Sequence, residues 1–170
     1  MKKEELILKI KQNSKSVQDQ ISSLSEEQLD KGLNEKWSPI KHLDHLLRSV
    51  QPLNKALKIP LPGLRILFGQ PNRERYSYDE LVAKYHLKLS EGAKASGRYI
   101  PSARQESTKV LSQFKEQNKQ LCKTIGKWKE EDLDRFLLPH PLLGKITIRE
   151  MIYFTIYHME HHLKLMKVSL

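Results

Sequence analysis

The chain has 170 residues, of which 38% are hydrophobic and 29% charged, and a formal net charge of +10 at pH 7. No apolar run approaches the roughly 18 residues of a membrane span, the first residues lack a signal-peptide core, and Cys122 alone cannot form an internal disulfide. These features exclude a membrane-spanning or disulfide-rich secreted protein. They predict a cytoplasmic protein whose residues 1–170 form one domain.

Apolar residues at helical spacing predict four principal helices. The second has a favourable start, because Pro39 after Ser38 occupies the first helical position, where a missing N–H is not needed. Pro52 is expected to kink this helix or to end its regular part. The predicted helices cover residues 2–24, residues from Ser38 to about Leu57, Ala103–Lys127 and Thr147–Lys167, the last opened by a capping box of Thr147 with Glu150.

Shorter segments connect these helices, and none shows a strand pattern. The absence of strands and the four long periodic segments predict an all-α four-helix bundle with a long crossover between helices two and three. The predicted connecting segments are a capped turn at Ser25 and Gln28, a loop over Gly32–Lys36, short helices over Leu61–Phe68 and Tyr78–Leu89 (the latter capped by Ser77 with Glu80), a loop over Ser96–Ser102, and a connection interrupted by Pro139, Pro141 and Gly144.

The fourth helix contains three of the seven histidines. His158 and His162 are four residues apart, which places them about 40° apart around the axis and roughly 6 Å along it. Two imidazoles placed in this way can bind one cation. His161 lies about 60° from His158 on the other side, so spacing alone does not choose between His161 and His162. A metal also needs a third ligand from another part of the chain.

Helix two offers His42 and His45, which lie on different flanks of its apolar stripe. Either could face a neighbouring helix, although a histidine on an apolar helix face is more often a hydrogen-bonded core residue than a metal ligand. His86 and His140 lie in the irregular region and in the connection before the last helix. Both are predicted to be surface residues.

Two segments resemble sequence blocks of the DinB/YfiT-like superfamily. WSPIKHLDHL, from Trp37 to Leu46, resembles the W-[ST]-x-x-x-x-L-x-H-L opening of its second helix. GKIT at Gly144–Thr147, followed by HMEHH at 158–162, resembles its closing G-x-[LIV]-T…H-x-x-x-H block. The order and separation of the two blocks also match, whereas residues 58–102 carry no matching motif and are where substrate specificity is expected to reside.

The resemblance implies an up-down-down-up four-helix bundle and a divalent metal held by His45, His158 and His162. Three imidazoles leave coordination positions open, as in catalytic sites, and Zn²⁺ or Ni²⁺ suits imidazole. Metal affinity is expected to fall below a pH of about 6.5, where histidines become protonated. Some superfamily members transfer a low-molecular-weight thiol to an electrophile, and others resemble hydrolases. The resemblance therefore implies a metal-dependent thiol transferase or hydrolase that acts on a small molecule, in stress response or detoxification.

No catalytic base is evident in the sequence. Glu160 is predicted to face away from the ligands and to pair with Lys164 or solvent, and Asp44 points about 100° away from His45. Arg48 and Ser49 lie one turn past His45 and are candidates for contacting a bound anion.

Two other functions remain open. One is a non-enzymatic module that binds nucleic acid or a protein partner through its basic surface, and the other is a bundle with a vestigial metal site. The lysines are scattered, and no helix combines clustered arginines with interleaved aromatic residues. Nucleic acid is therefore not favoured as a partner over a small-molecule substrate, and a homodimer is left open.

Overall fold

The computed structural model describes residues 1–32, 37–102 and 106–168, and helices make up most of this part of the chain. The elements are α1 (Lys3–Ser22), α2 (Glu26–Asp30), α3 (Pro39–Ala56), α4 (Leu61–Phe68), α5 (Tyr78–Ser90), a 3₁₀ turn (Gly97–Tyr99), α6 (Ser107–Lys127), α7 (Asp132–Arg135), β1 (Leu137–His140), β2 (Gly144–Thr147) and α8 (Ile148–Val168).

The four long helices α1, α3, α6 and α8 form the predicted bundle. The start of α1 lies beside the start of α8, since Arg149 donates a hydrogen bond to the carbonyl of Met1. Lys3 donates to the carbonyl of Trp128, just past the end of α6. The first turns of α3 meet the last turns of α8, where His42 contacts His162. Helices α1 and α8 therefore run up and α3 and α6 run down, as the sequence resemblance implied.

Helices α3 and α6 are neighbours that run in the same direction. The chain therefore needs a long crossover to return from the end of α3 to the start of α6. Short helices were predicted here at Leu61–Phe68 and Tyr78–Leu89, and the structure has α4 and α5 at these places. The α3 helix continues through Pro52, so this proline does not end it. The predicted loop residues 33–36 and the predicted start of helix three at 103–105 lie outside the described residues.

A small β-hairpin corrects the prediction that the chain contains no strands. Strands β1 and β2 pair antiparallel, with Leu137 opposite Thr147 and His140 opposite Gly144. Each strand has only four residues, and Pro139 stands in the first, so neither contains enough alternation to be recognised from the sequence. The φ of Gly144 is +72°, a backbone conformation that glycine adopts without strain.

Glu150 joins the crossover to the fourth bundle helix. The predicted capping box is present, since the backbone N–H of Glu150 donates to the Thr147 hydroxyl and the N–H of Thr147 donates to the Glu150 carboxylate. The same fully buried carboxylate accepts two hydrogen bonds from the Arg73 guanidinium and one from the N–H of Tyr76. A helix cap recognised from three-residue spacing thus also anchors a segment more than 70 residues away.

None of the helices formed by residues 1–32, 37–102 and 106–168 combines the length and apolarity that crossing a membrane requires.

Candidate functional site

Three buried histidines meet between α3 and α8, at one end of the bundle. The Nε2 atom of His158 lies 3.1 Å from Nε2 of His45 and 3.0 Å from Nε2 of His162. Each of the three offers one ring nitrogen, and these atoms lie within 4.8 Å of one another. The structure therefore brings together the three histidines that the resemblance selected, and it places His162, not His161, against His158.

Backbone contact determines which nitrogen of His45 carries the proton. Its Nδ1 lies 2.6 Å from the carbonyl oxygen of Tyr99, in the 3₁₀ turn of the crossover. A carbonyl accepts hydrogen bonds only, so Nδ1 is the protonated nitrogen, and the neutral ring presents a lone pair at Nε2. This lone pair points toward the other two histidines. The crossover thus holds the third histidine in the form that binds a metal.

His42 also belongs to the cluster, as a neighbour of His162. The two Nδ1 atoms lie 2.8 Å apart, so one of them donates a hydrogen bond to the other. If Nε2 of His162 offers its lone pair to a metal, its Nδ1 carries the proton and His42 is the acceptor. Both histidines of helix two were candidates in the sequence analysis. The structure places His45 at the convergence point and His42 behind His162.

Burial keeps these rings neutral. Burial, together with the nearby histidines, lowers the pKa of His158 and of His162 well below 6.5. Burial also lowers the pKa of His45, against the opposing effects of the Tyr99 carbonyl and Asp44. The pKa of His42 falls to about 4, for the same reason and by repulsion from His45. Neutral imidazole is the form that coordinates metal ions, so near neutral pH these rings are in the protonation state that coordination requires.

The donor set fits a divalent metal ion. Two imidazole nitrogens bound to one zinc ion at about 2.0–2.1 Å, with a tetrahedral angle between them, are about 3.3 Å apart. The two Nε2 distances to His158 are 3.0 and 3.1 Å. Two such distances, with all three ring nitrogens within 4.8 Å of one another, suit one shared ion, and His45, His158 and His162 are the residues that would hold it.

Trp37 covers the histidine cluster next to the start of α3. Its ring stacks on His162 with an interplanar angle of 14° and contacts His42 and His45 at steeper angles. On the other side, Phe154 stacks on His158 at a centroid distance of 4.7 Å. Aromatic rings thus restrict water around the imidazoles and limit their rotation.

The weaker candidates near the site have structural partners. Arg48 donates to the Asp44 carboxylate, to the carbonyl of Arg98 and to the hydroxyl of Ser102. Ser49 donates to the carbonyl of His45 at 2.8 Å and lines the adjoining cavity. Asp44 also accepts from the N–H of Ser102 at 2.9 Å. Arg48 and Asp44 therefore fasten the end of the crossover beside the histidines.

Glu160 and His161 lie outside the cluster, as predicted. The Glu160 carboxylate accepts from Asn13 of α1 at 2.8 Å and from the Tyr78 hydroxyl at 3.4 Å, so its partners are these residues rather than the predicted Lys164. His161 is half-buried beside Tyr85.

A cavity of about 330 Å³ opens beside His45 and His158. Residues of α3, the crossover, the hairpin and α8 form its wall, which is mostly apolar. Lys55, Lys94 and Arg98 are exposed at its edge, and the described residues that line it include no Asp or Glu. Such a volume and lining are typical of small-molecule sites. Its main apolar residues are Leu53, Ile59, Phe68, Leu138, Met151 and Phe154.

His140 was predicted to lie at the surface, and this is wrong. The residue is 7% exposed and lines the cavity, with its ring 4.2 Å from the ring of Phe154. The hairpin turns this side chain inward, and without a recognised strand the sequence offered no signal for its direction. Burial lowers the pKa of His140 to about 4. His86 does lie at the surface, with its Nε2 2.6 Å from the hydroxyl of Tyr157.

Comparisons with known proteins agree with this fold. The chain is 28% identical over 156 residues to the uncharacterized protein YuaE of Bacillus subtilis (strain 168), and the alignment covers 88% of this chain and 87% of YuaE. Its fold is similar to that of TT2238, a four-helix bundle protein, with a TM-score of 0.63 at 17% identity over 98% of this chain and 99% of that one.

A second solved structure with a similar fold is the colibactin self-resistance protein ClbS in complex with a dsDNA. Its TM-score is 0.59 at 18% identity, over 98% of this chain and 94% of that chain. At these identities the two structures establish the fold. The sequence itself matches the profile of the DinB superfamily from residue 10 to residue 166, and the chain belongs to this superfamily.

Proposed function

We propose that this protein is a metal-dependent enzyme that acts on a small organic molecule, with a divalent ion held by His45, His158 and His162. The observation that carries the proposal is the convergence of three buried Nε2 atoms beside a largely apolar cavity. A divalent ion held by these three imidazoles would leave coordination positions open and, as a Lewis acid, would lower the pKa of a water or a thiol.

The cavity favours thiol transfer over hydrolysis. Hydrolysis usually employs a general base with a pKa near the working pH, within reach of the attacking water. The described residues that line the cavity include no carboxylate, and the Glu160 carboxylate contacts Asn13 instead. His140 is a poor base, since burial lowers its pKa to about 4. A thiol, with an ordinary pKa of about 8.5, needs a much smaller lowering of its pKa than water, at about 15.7, so it would be the easier nucleophile to activate without a base.

Metal analysis tests the first half of the proposal. The chain is purified without an affinity tag, supplied with Zn²⁺ or Ni²⁺, desalted and measured by elemental analysis. We expect about one ion per chain in the original protein and in the control variants His161→Ala and His86→Ala. The variants His45→Ala, His158→Ala and His162→Ala should lose the ion. Metal retained in all three would refute the site, and metal without any turnover would favour a vestigial one.

Thiol consumption tests the second half. The metal-loaded protein is incubated with cysteine, glutathione or coenzyme A and a panel of small electrophiles, and the adducts are detected by mass spectrometry. Thiol transfer predicts adducts that depend on the metal and disappear in His158→Ala. Hydrolysed electrophile without any thiol adduct would favour the hydrolase instead.

A second candidate function is binding of nucleic acid through the face formed by α1 and α6. An open groove there is lined by Lys11, Lys115, Lys119 and Lys123, with no acidic residue among its described lining. The structural neighbour ClbS was solved with a dsDNA. Phosphate contacts by these lysines would make binding of a DNA duplex weaken steeply between 50 and about 200 mM salt. Fluorescence anisotropy of a labelled duplex, with Lys119→Glu and Lys123→Glu as variants, distinguishes this function from the enzyme.

A further inference from the structure

The hairpin uses only one of the two ring nitrogens of the buried His140. Its Nδ1 accepts hydrogen bonds from the backbone N–H groups of Leu142 and Leu143, both at 3.1 Å. A nitrogen that accepts carries no proton, so in the neutral ring the proton is on Nε2. The turn between β1 and β2 thus determines the tautomer of this histidine.

The Nε2–H group of His140 has no hydrogen-bond partner among the residues that the structure describes. In the described part of the chain, the side-chain polar atoms that are both fully enclosed and without a partner belong to Ser38, Asn54 and Asn118. His140 is not among these residues, so its Nε2–H is accessible. Because His140 is 93% buried and lines the cavity, we assign its accessible Nε2–H to the cavity wall. A donor in a largely apolar space calls for an acceptor from the ligand.

The charges around the cavity restrict which ligands can supply this acceptor. Lys55, Lys94 and Arg98 stand at its edge, and no carboxylate lines it among the described residues. The guanidinium of Arg98 lies over the ring of Tyr99, at 5.5 Å from its centroid, on the turn that contacts His45. These edge charges favour an anion over a cation in the cavity.

We propose that the cavity binds small apolar carboxylic acids, with a carboxylate oxygen accepting a hydrogen bond from Nε2–H of His140. The apolar body of such a molecule packs on residues such as Met151 and Phe154, within reach of His45 and His158, which also line the cavity. The inference rests on the proposed function only where it names these acids as the substrate class of the enzyme. The binding itself requires no metal.

Matched ligands test the proposal on protein dialysed against EDTA. The probes are 4-phenylbutanoate, 4-phenylbutan-1-ol and 4-phenylbutan-1-amine, which share one apolar body, and binding is measured by calorimetry. We expect the acid to bind best and the amine at least about tenfold more weakly, since a hydrogen bond to a charged group is worth more than a neutral one. Equal binding of acid and amine, or no binding of the acid at millimolar concentration, would overturn the substrate class.

Two substitutions separate the ligand contact from the hairpin contact of His140. In His140→Asn the side-chain oxygen replaces Nδ1 as acceptor for Leu142 and Leu143, and the donor at the Nε2 position is lost. We expect a thermal midpoint above that of His140→Gln, because the hairpin hydrogen bonds are kept, and a loss of acid binding of roughly tenfold or more. In His140→Gln the side chain again has a donor near the Nε2 position but lacks the acceptor for Leu142 and Leu143. This variant should therefore be less stable than the original protein, yet keep part of the preference for the acid.

The control is His86→Asn, which changes an exposed histidine and should alter neither measurement. Lys94→Glu reverses one charge at the edge of the cavity without touching the hairpin, and it should reduce the ratio of acid to amine affinity. Undiminished acid binding in His140→Asn would show that this histidine only supports the turn. If the acid binds but the metal analysis finds no ion on the original protein supplied with Zn²⁺ or Ni²⁺, this inference stands and the proposed enzyme fails, so the two failures are distinguishable.

Discussion

Replacing His42 with leucine tests whether a neighbour outside the proposed ligand set controls metal affinity. When His162 offers its Nε2 lone pair, its Nδ1 carries a proton, and Nδ1 of His42 at 2.8 Å is the acceptor for it. Both rings are buried, so leucine would leave this N–H without a partner. An unsatisfied buried donor costs about 1–3 kcal/mol, which corresponds to roughly 5- to 150-fold in affinity.

We therefore expect His42→Leu to bind one Zn²⁺ per chain with a Kd about 10- to 100-fold higher than that of the original protein. His42→Asn places a side-chain oxygen where Nδ1 lies and should keep an affinity close to the original. Competition with a chromophoric chelator at pH 7.5 measures all three values. His161→Leu is the matched control, since His161 is adjacent to His162 in sequence and lies outside the cluster. An unchanged Kd in His42→Leu would refute the orienting role, and complete loss of the ion would make His42 a ligand.

Four further predictions concern pH, the crossover and the core. Burial alone would raise the pKa of Glu150, but hydrogen bonds from Arg73 and from the N–H groups of Thr147 and Tyr76 hold this pKa below its usual value. The contribution of Glu150 to stability is therefore present near pH 7 and is lost as the pH falls through the folded-state pKa. Urea unfolding at pH 7 should show Glu150→Gln to be less stable by about 1–3 kcal/mol, with a smaller dependence on acid pH than the original chain. The pKa values of His158 and His162 lie well below 6.5, so metal affinity measured across pH should persist below the value of about 6.5 expected from ordinary histidines. Asp44→Ala removes the acceptor for the N–H of Ser102, and hydrogen exchange of that amide should become roughly 10- to 100-fold faster, while an unchanged rate would show that Asp44 does not hold the crossover. Phe114→Ala, at a position 1% exposed, should cost about 3–5 kcal/mol, whereas Leu8→Ala, at a position 53% exposed, should change stability by less than about 0.5 kcal/mol in the same assay.

The helices and their capping boxes could be predicted because both depend on neighbours in sequence. Ser25 with Gln28, Ser77 with Glu80 and Thr147 with Glu150 all form the reciprocal bonds that three-residue spacing indicates. The meeting of His45 with the α8 pair followed from the resemblance rather than from spacing, since periodicity alone left His42 and His45 equivalent. Their metal-binding role is still a prediction.

What could not be predicted depends on contacts between distant segments. The four-residue strands that turn His140 inward are held by pairing with each other and by packing on α8, and neither contact leaves a periodic pattern. The Tyr99 carbonyl that selects the tautomer of His45 is 54 residues away in the chain, and its backbone group carries no residue-specific signal. The interaction of Arg73 with Glu150 spans 77 residues. These partners are determined by the tertiary fold.

The parallel orientation of α3 and α6 has a consequence for how such a protein can evolve. Because the chain must travel back along the bundle between them, the crossover supplies much of the cavity wall, including Phe68, Tyr85 and Tyr99. The proposed metal ligands stand on α3 and α8, which are held by their own contacts with α1 and α6. Substitutions and length changes in the crossover can therefore alter the shape and charge of the cavity while the helical framework and the histidines keep their positions. Apart from the Tyr99 turn that orients His45, the proposed ligand preference and metal binding would then be carried by separable parts of one chain, so selection could change the first without losing the second.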